Sequence, residues 1–105
     1  MAIEVIVKGR VQRVGYRGYL LDVAQELGVT GFVENLRDGS VRVFCQGLQK
    51  DLKRLIRRAR KPPAPIKVKE FNVKEVKPKP RLRYFRIKYG PVQEELQEGF
   101  EDYSR

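Results

Sequence analysis

Residues 3–28, IEVIVKGRVQRVGYRGYLLDVAQELG, change their hydrophobic period once, and that change decides the fold. Ile3, Val5 and Val7 alternate with Glu4, Ile6 and Lys8, the period-two pattern of a strand. Gly9, free to take unusual backbone angles, is predicted to end it. A loop follows through Gly15. From Tyr16 the apolar residues Tyr16, Leu20, Val23, Ala24 and Leu27 fall on one helical stripe, and Gly28 supplies the stop.

The rest of the chain repeats the alternation of strand and helix. Val29 to Leu36 predicts a strand, Arg37, Asp38 and Gly39 a turn, and Ser40 to Gln46 the returning strand of a hairpin. Leu48, Leu52, Leu55, Ile56 and Ala59 recur at helical spacing until Pro62 and Pro63 end the second helix. Val68 to Val76 predicts a fourth strand whose apolar phase slips between Val68 and Phe71, the mark of a bulge. Lys77 to Arg83 forms a basic, proline-containing connector, and Phe85, Ile87 and Tyr89 alternate in a short last strand. The order β, α, β, β, α, β plus a fifth strand packs most economically as an α+β, ferredoxin-like antiparallel sheet with both helices on one face.

A chain of 105 residues has room for one core. We assign residues 1–89 to that domain and residues 90–105 to an acidic tail, in which Val92, Leu96 and Phe100 could line one weak helix. The tail sets five acidic residues against Arg105, a net charge of −4, so residues 1–89 carry +14 of a chain whose total is +10. A body this basic attracts phosphorylated ligands or nucleic acid, and charge alone does not choose between them. No apolar run approaches the roughly 18 to 20 residues needed to cross a bilayer, and Met1 leads directly into a strand, so neither membrane insertion nor export is expected. The lone Cys45 closes no intrachain disulfide, which fits a reducing cytoplasm. Few thermolabile side chains among many charged ones lean toward a heat-stable protein.

Histidine is absent, which removes the usual general base, the usual zinc ligand and every Ser/His or Cys/His arrangement. Two segments nevertheless carry chemistry. Gly9 to Arg17, GRVQRVGYR, lies at the start of the first helix, where backbone N–H groups lack intrahelical partners and the helix dipole adds positive charge. Arg17 offers a planar fork for two phosphoryl oxygens, or is simply an exposed arginine of a first turn. In the hairpin segment Gly31 to Gly47, GFVENLRDGSVRVFCQG, the amide of Asn35 can orient a water whatever the pH, or can merely start the turn.

GRVQRVGYR resembles the first signature of the acylphosphatase family, usually GxVQGVxFR, and Gly31, Asn35, Gly39, Val41 and Gly47 resemble the second. Both motifs stand in the right order on the right elements, and the resemblance spans about residues 3–89. It implies a catalytic pair, Arg17 binding the substrate phosphate and Asn35 positioning the attacking water. It further implies a phosphate-binding loop made by the amides of Gln12, Arg13, Val14, Gly15, Tyr16 and Arg17. The implied reaction cleaves the carboxyl–phosphate bond of a small acyl phosphate, releasing a carboxylate and inorganic phosphate, with no cofactor and no metal. Arg13 stands where the signature has glycine. It either strains a backbone that needs positive φ or blocks the cradle, or points outward and only adds positive field. Glu34, also atypical beside the asparagine, should be turned away from it by strand alternation.

Two other functions fit the same residues. One is an inactive acylphosphatase-like module that binds phosphate or a protein. The other is a nucleic-acid-binding domain using the basic second helix, whose cations are most simply a solvated face, with Phe32 and Phe44 either candidates for base stacking on an open sheet face or members of the core. Oligomeric state and the natural acyl phosphate have no sequence signature here.

Overall fold

The computed structural model describes residues 1–89; the predicted tail, with its weak helix, lies outside them. Within that span the chain forms β1 (Ala2–Arg10), α1 (Tyr16–Leu27), β2 (Thr30–Asn35), β3 (Val41–Gln46), α2 (Gln49–Arg60), β4 (Lys67–Val76) and β5 (Phe85–Lys88). The sheet order is β4-β1-β3-β2-β5. The first four strands pair antiparallel, as the ferredoxin-like reading requires, whereas β5 joins the free edge of β2 in parallel. The sheet is therefore mixed. A four-residue strand carries no signal of its partner's direction, and the connector from residue 77 to 84 is long enough to carry the chain across.

Strand alternation sorts the two faces. Ile3, Val5 and Val7 of β1, Val33 of β2, Val41, Val43 and Cys45 of β3, and Phe85 of β5 pack with Tyr16, Leu20, Val23 and Ala24 of α1 and Leu52, Leu55 and Ala59 of α2. Both helices thus cover one face, which holds the main core. Their mutual packing is pinned by two hydroxyls: Tyr16 donates to the carbonyl of Ala59 at 2.8 Å and Tyr19 to that of Arg58 at 3.0 Å. Burial pushes the Cys45 thiol up to about 12, so it stays protonated as a small core hydrophobe. Gly28 ends α1 as predicted, in the left-handed region at φ 71°, with Val29 N–H closing back on the carbonyl of Ala24.

β1 is longer than its alternation predicts. Gly9 does not end it but sits within the strand where the β1/β4 register shifts, with Lys8 opposite Glu70 and Gly9 opposite Val68. This is the bulge that the phase slip between Val68 and Phe71 predicted.

The other face is not open. Phe32 and Phe44 stack at 5.4 Å and pack with Ala2, Val76 and Leu82. The 77–84 connector straps over them: the Gln46 side-chain amide donates to the Lys79 carbonyl and accepts from the Lys79 N–H, both at 2.7 Å. With 6% and 2% of their surface exposed, Phe32 and Phe44 are core residues and offer no stacking platform. Glu34 does turn away from the helix face as predicted. It lies buried on the strapped side, where Arg42 bonds it at 2.7 Å and reaches Glu4 at 2.7 Å.

Candidate active site

The 11–15 loop is held from behind. Val11 is buried in the core and Val14 packs against it, while the Gln12 side-chain amide donates to the carbonyls of both Leu36 and Ser40 at 2.8 Å. That double bond ties the loop to the mouth of the β2–β3 hairpin, one residue beyond Asn35. Gln12 was a candidate only through its backbone; its side chain proves to be the clamp joining the two signature segments.

The loop's shape is set by two left-handed residues. Arg13 has φ 61° and Gly15 has φ 86°, while Val14 between them keeps a negative φ. Alternation of backbone hand tends to gather successive N–H groups toward one side. Gly15 is the N-cap of α1, without a side-chain cap, and the helix's first backbone bond runs from Tyr19 N–H to the carbonyl of Gly15 at 3.0 Å. Among the described residues, no acceptor takes the N–H groups of residues 13–18. Both alternatives for Arg13 are answered together: its backbone does occupy the positive-φ region that glycine favours, and its side chain is exposed. Arginine therefore holds a backbone conformation that glycine favours, at a local conformational cost.

Tyr16 contributes less than its place in the motif implies. Its ring is buried in the main core and burial raises its hydroxyl far above the ordinary range. Only its backbone N–H remains for an anion.

Arg17 stands in the first turn of α1, where the helix dipole opposes a cation by about 0.3–1 kcal/mol. The guanidinium lies 5.6 Å from the ring centroid of Tyr89, which offsets part of that cost. Tyr89 follows β5 directly. β5 runs parallel to β2, with Lys88 opposite Glu34 as the last paired position, and Tyr89 continues the chain one residue past it. Arg17 thus meets the residue that follows the strand paired with β2. The alternation of Phe85, Ile87 and Tyr89 was the signal, since it puts Tyr89 on the helix side with Phe85.

Asn35 is the last residue of β2 and shares the helix side with Val33. Its Oδ1 is buried with no hydrogen-bond partner among the described residues. A buried carbonyl oxygen without a partner is unfavourable by about 1–3 kcal/mol unless water or a ligand satisfies it. The constellation thus comprises N–H groups seeking an acceptor, a guanidinium, and an amide oxygen seeking a donor. Among the described residues no cluster of His, Cys, Asp or Glu could hold a metal, and no helix is long and apolar enough to cross a membrane.

Topology and strand order define an α+β domain of ferredoxin-like architecture with a fifth, parallel strand. The family model for acylphosphatase matches residues 3–87. The chain is similar to acylphosphatases of Thermotoga maritima, 38% identical over 84% of this chain and 97% of that one, and of Methanocella arvoryzae, 36% identical over 71% and 85%. Its structure is similar to the acylphosphatase of Bacillus subtilis, with a TM-score of 0.80 and 28% identity over 84% of this chain and 98% of that one. The chain belongs to the acylphosphatase family, and its enzymatic class is that of the family, a hydrolase acting on acid anhydrides.

Proposed function

We propose that this chain hydrolyses small acyl phosphates at the N-terminus of α1, with Arg17 and the 12–17 amides holding the phosphoryl group and Asn35 aiming the water. The observation that carries the reading is the pairing of two unmet needs at one place: backbone N–H groups without acceptors on the loop and the buried, unpartnered Oδ1 of Asn35. A phosphate satisfies the first and its attacking water donates to the second.

The chemistry asks little more of the protein. The departing carboxylate has a conjugate acid of pKa about 4, so it leaves without being protonated and no general acid is required. Water attacks phosphorus, the P–O bond to the acyl oxygen breaks with its electron pair going to the carboxylate, and a phosphate oxygen takes the water's proton. Phosphoryl transfer depends chiefly on alignment and charge stabilisation, and a guanidinium, a ring of amides and an oriented water supply both. This explains how a chain without histidine turns over.

Residues 1–89 form the catalytic domain in this reading, and a chain ending at Tyr89 should keep full turnover in the acetyl phosphate assay. The reaction belongs in a reducing cytoplasm, consistent with the single buried thiol of Cys45, and the charge-rich composition favours a heat-stable enzyme. Purified protein should hydrolyse acetyl or benzoyl phosphate, and Arg17→Ala and Asn35→Ala should each lower kcat/KM by about 10²- to 10³-fold with an unchanged circular dichroism spectrum. Full activity in Asn35→Ala would overturn the role of that side chain. If the unmodified protein is inert and Arg13→Gly restores turnover, the chain is a phosphate-binding module.

A further inference from the structure

The second helix carries more positive charge than its place in the fold requires. Leu52, Leu55 and Ala59 face the core, and the outer side presents Lys50, Lys53, Arg54 and Arg57, all exposed. Their spacing, i, i+3, i+4 and i+7, puts them on one stripe about 10 Å long at 1.5 Å per residue. Other cations of the helix are engaged: Arg58 bonds Glu26 at 2.8 Å and Arg60 lies over the Phe71 ring at 4.7 Å. None of the four stripe residues forms an ion pair with a described acidic residue.

A structural reason covers only part of this. Cations near a helix C-terminus complement its dipole, which accounts for Arg57. Lys50 and Lys53 stand in and beside the first turn, where the dipole opposes them, and Asp51 is the sole acid there. Like charges three and four residues apart repel by a few tenths of a kcal/mol per pair. The stripe contains four such pairs, so it is unfavourable in isolation and is relieved by a polyanion.

We propose that the outer face of α2 docks the phosphate backbone of double-stranded nucleic acid through Lys50, Lys53, Arg54 and Arg57, without reading the bases. Two observations and the requirements of a duplex choose this occupant. Phe32 and Phe44 are covered, so binding of a single strand by stacking on the sheet has no platform. The stripe has no exposed apolar residue between its cations, which an interfacial membrane helix needs and which the centre of a protein interface needs. A duplex backbone asks only for regularly spaced positive charge.

Fluorescence anisotropy of the full chain with a labelled 20-base-pair DNA duplex, a matching RNA duplex, vesicles containing anionic lipid and polyglutamate tests the assignment. Four phosphate contacts give a slope of log K against log salt near −3.6, about a 10²-fold loss of affinity between 50 and 200 mM salt. The quadruple variant Lys50→Gln/Lys53→Gln/Arg54→Gln/Arg57→Gln should bind duplex at least tenfold more weakly and keep its acetyl phosphate turnover, which also shows that it folds. A charge-matched control, Lys67→Gln/Lys69→Gln/Lys77→Gln/Arg81→Gln, should retain duplex affinity within about threefold. Equal losses in the two variants would show that net charge alone is responsible and overturn the proposal. So would the absence of duplex binding at 50 mM salt, or tighter binding to vesicles or polyglutamate than to either duplex. Binding of one duplex and not the other supports the proposal and identifies its source.

Discussion

Replacing Arg13 by glycine isolates the conformational cost that the phosphate loop carries. Arg13 is the one non-glycine residue among those described with positive φ, at 61°. For an L-residue with a side chain the left-handed region costs roughly 1–2 kcal/mol. Glycine removes that cost but loses more backbone entropy on folding, about 0.5–1 kcal/mol. The net expectation is a gain of about 0–1.5 kcal/mol, which for a domain of this size raises Tm by at most about 6–12 °C. The lost side chain is exposed, and one exposed charge acting through water contributes under about 1 kcal/mol, so KM for acetyl phosphate should rise by no more than about fivefold with kcat unchanged. Alanine at the same position keeps the strain without the arginine, and asparagine tolerates left-handed backbone better than alanine. Urea and thermal unfolding should therefore rank Gly above Asn and Asn above Ala, with Ala near Arg. If Arg13→Gly is destabilised by more than about 1 kcal/mol, or loses over tenfold in kcat, the arginine side chain is part of the site and the reasoning from backbone strain is wrong.

Other perturbations probe the supports of the site and the sheet. Gln12→Ala removes both bonds to the hairpin mouth and should cost about 1–3 kcal/mol, with kcat falling more than stability because the loop and Asn35 lose their tether; unchanged kcat would show that the clamp is dispensable. Gly31 has φ 145°, and an added Cβ would overlap the Phe44 carbonyl, so Gly31→Ala should destabilise by about 2–4 kcal/mol in urea unfolding, whereas a loss under 0.5 kcal/mol would contradict the β2–β3 spacing. Arg42→Leu strands Glu34, 3% exposed, without its partner and should cost about 3 kcal/mol by the same assay. Arg42 also holds the Glu4 carboxyl below its ordinary value of 4.5, its hydrogen bond being the largest cause. A depressed folded pKa contributes stability that is present above 4.5 and is lost as pH falls through the lower folded value. Glu4→Gln should therefore flatten the decline in stability of the unmodified protein below about pH 4.5, and an unaltered pH profile would refute the linkage.

What was legible in the sequence follows from the range of each interaction. Gly28 marked the end of α1 because a left-handed cap is a local demand, and the slip between Val68 and Phe71 marked the bulge because a register shift inverts the side-chain phase at once. Asn35 and Arg17 could be named as candidates from their motifs, and Glu34 was placed on the far side of β2 by alternation alone. Contacts between distant segments left no such trace. The strap of residues 77–84 over Phe32 and Phe44 depends on a bond pair between Gln46 and Lys79, and nothing in either residue's surroundings announces it. The parallel pairing of β5, and with it the position of Tyr89 under Arg17, depends on which sheet edge the returning chain reaches. Gln12 was legible as a loop member, but its side-chain clamp depends on carbonyls 24 and 28 residues away.

Whether one anion sits at the start of α1 is read out by titrating ¹⁵N-labelled protein with inorganic phosphate, the product and a substrate mimic. Saturable backbone shifts should concentrate at Arg13 to Gly18 and in the side-chain amide of Asn35, and Arg17→Ala should abolish them. Saturable shifts confined to α2, or shifts at the loop that persist unchanged in Arg17→Ala, would contradict that placement.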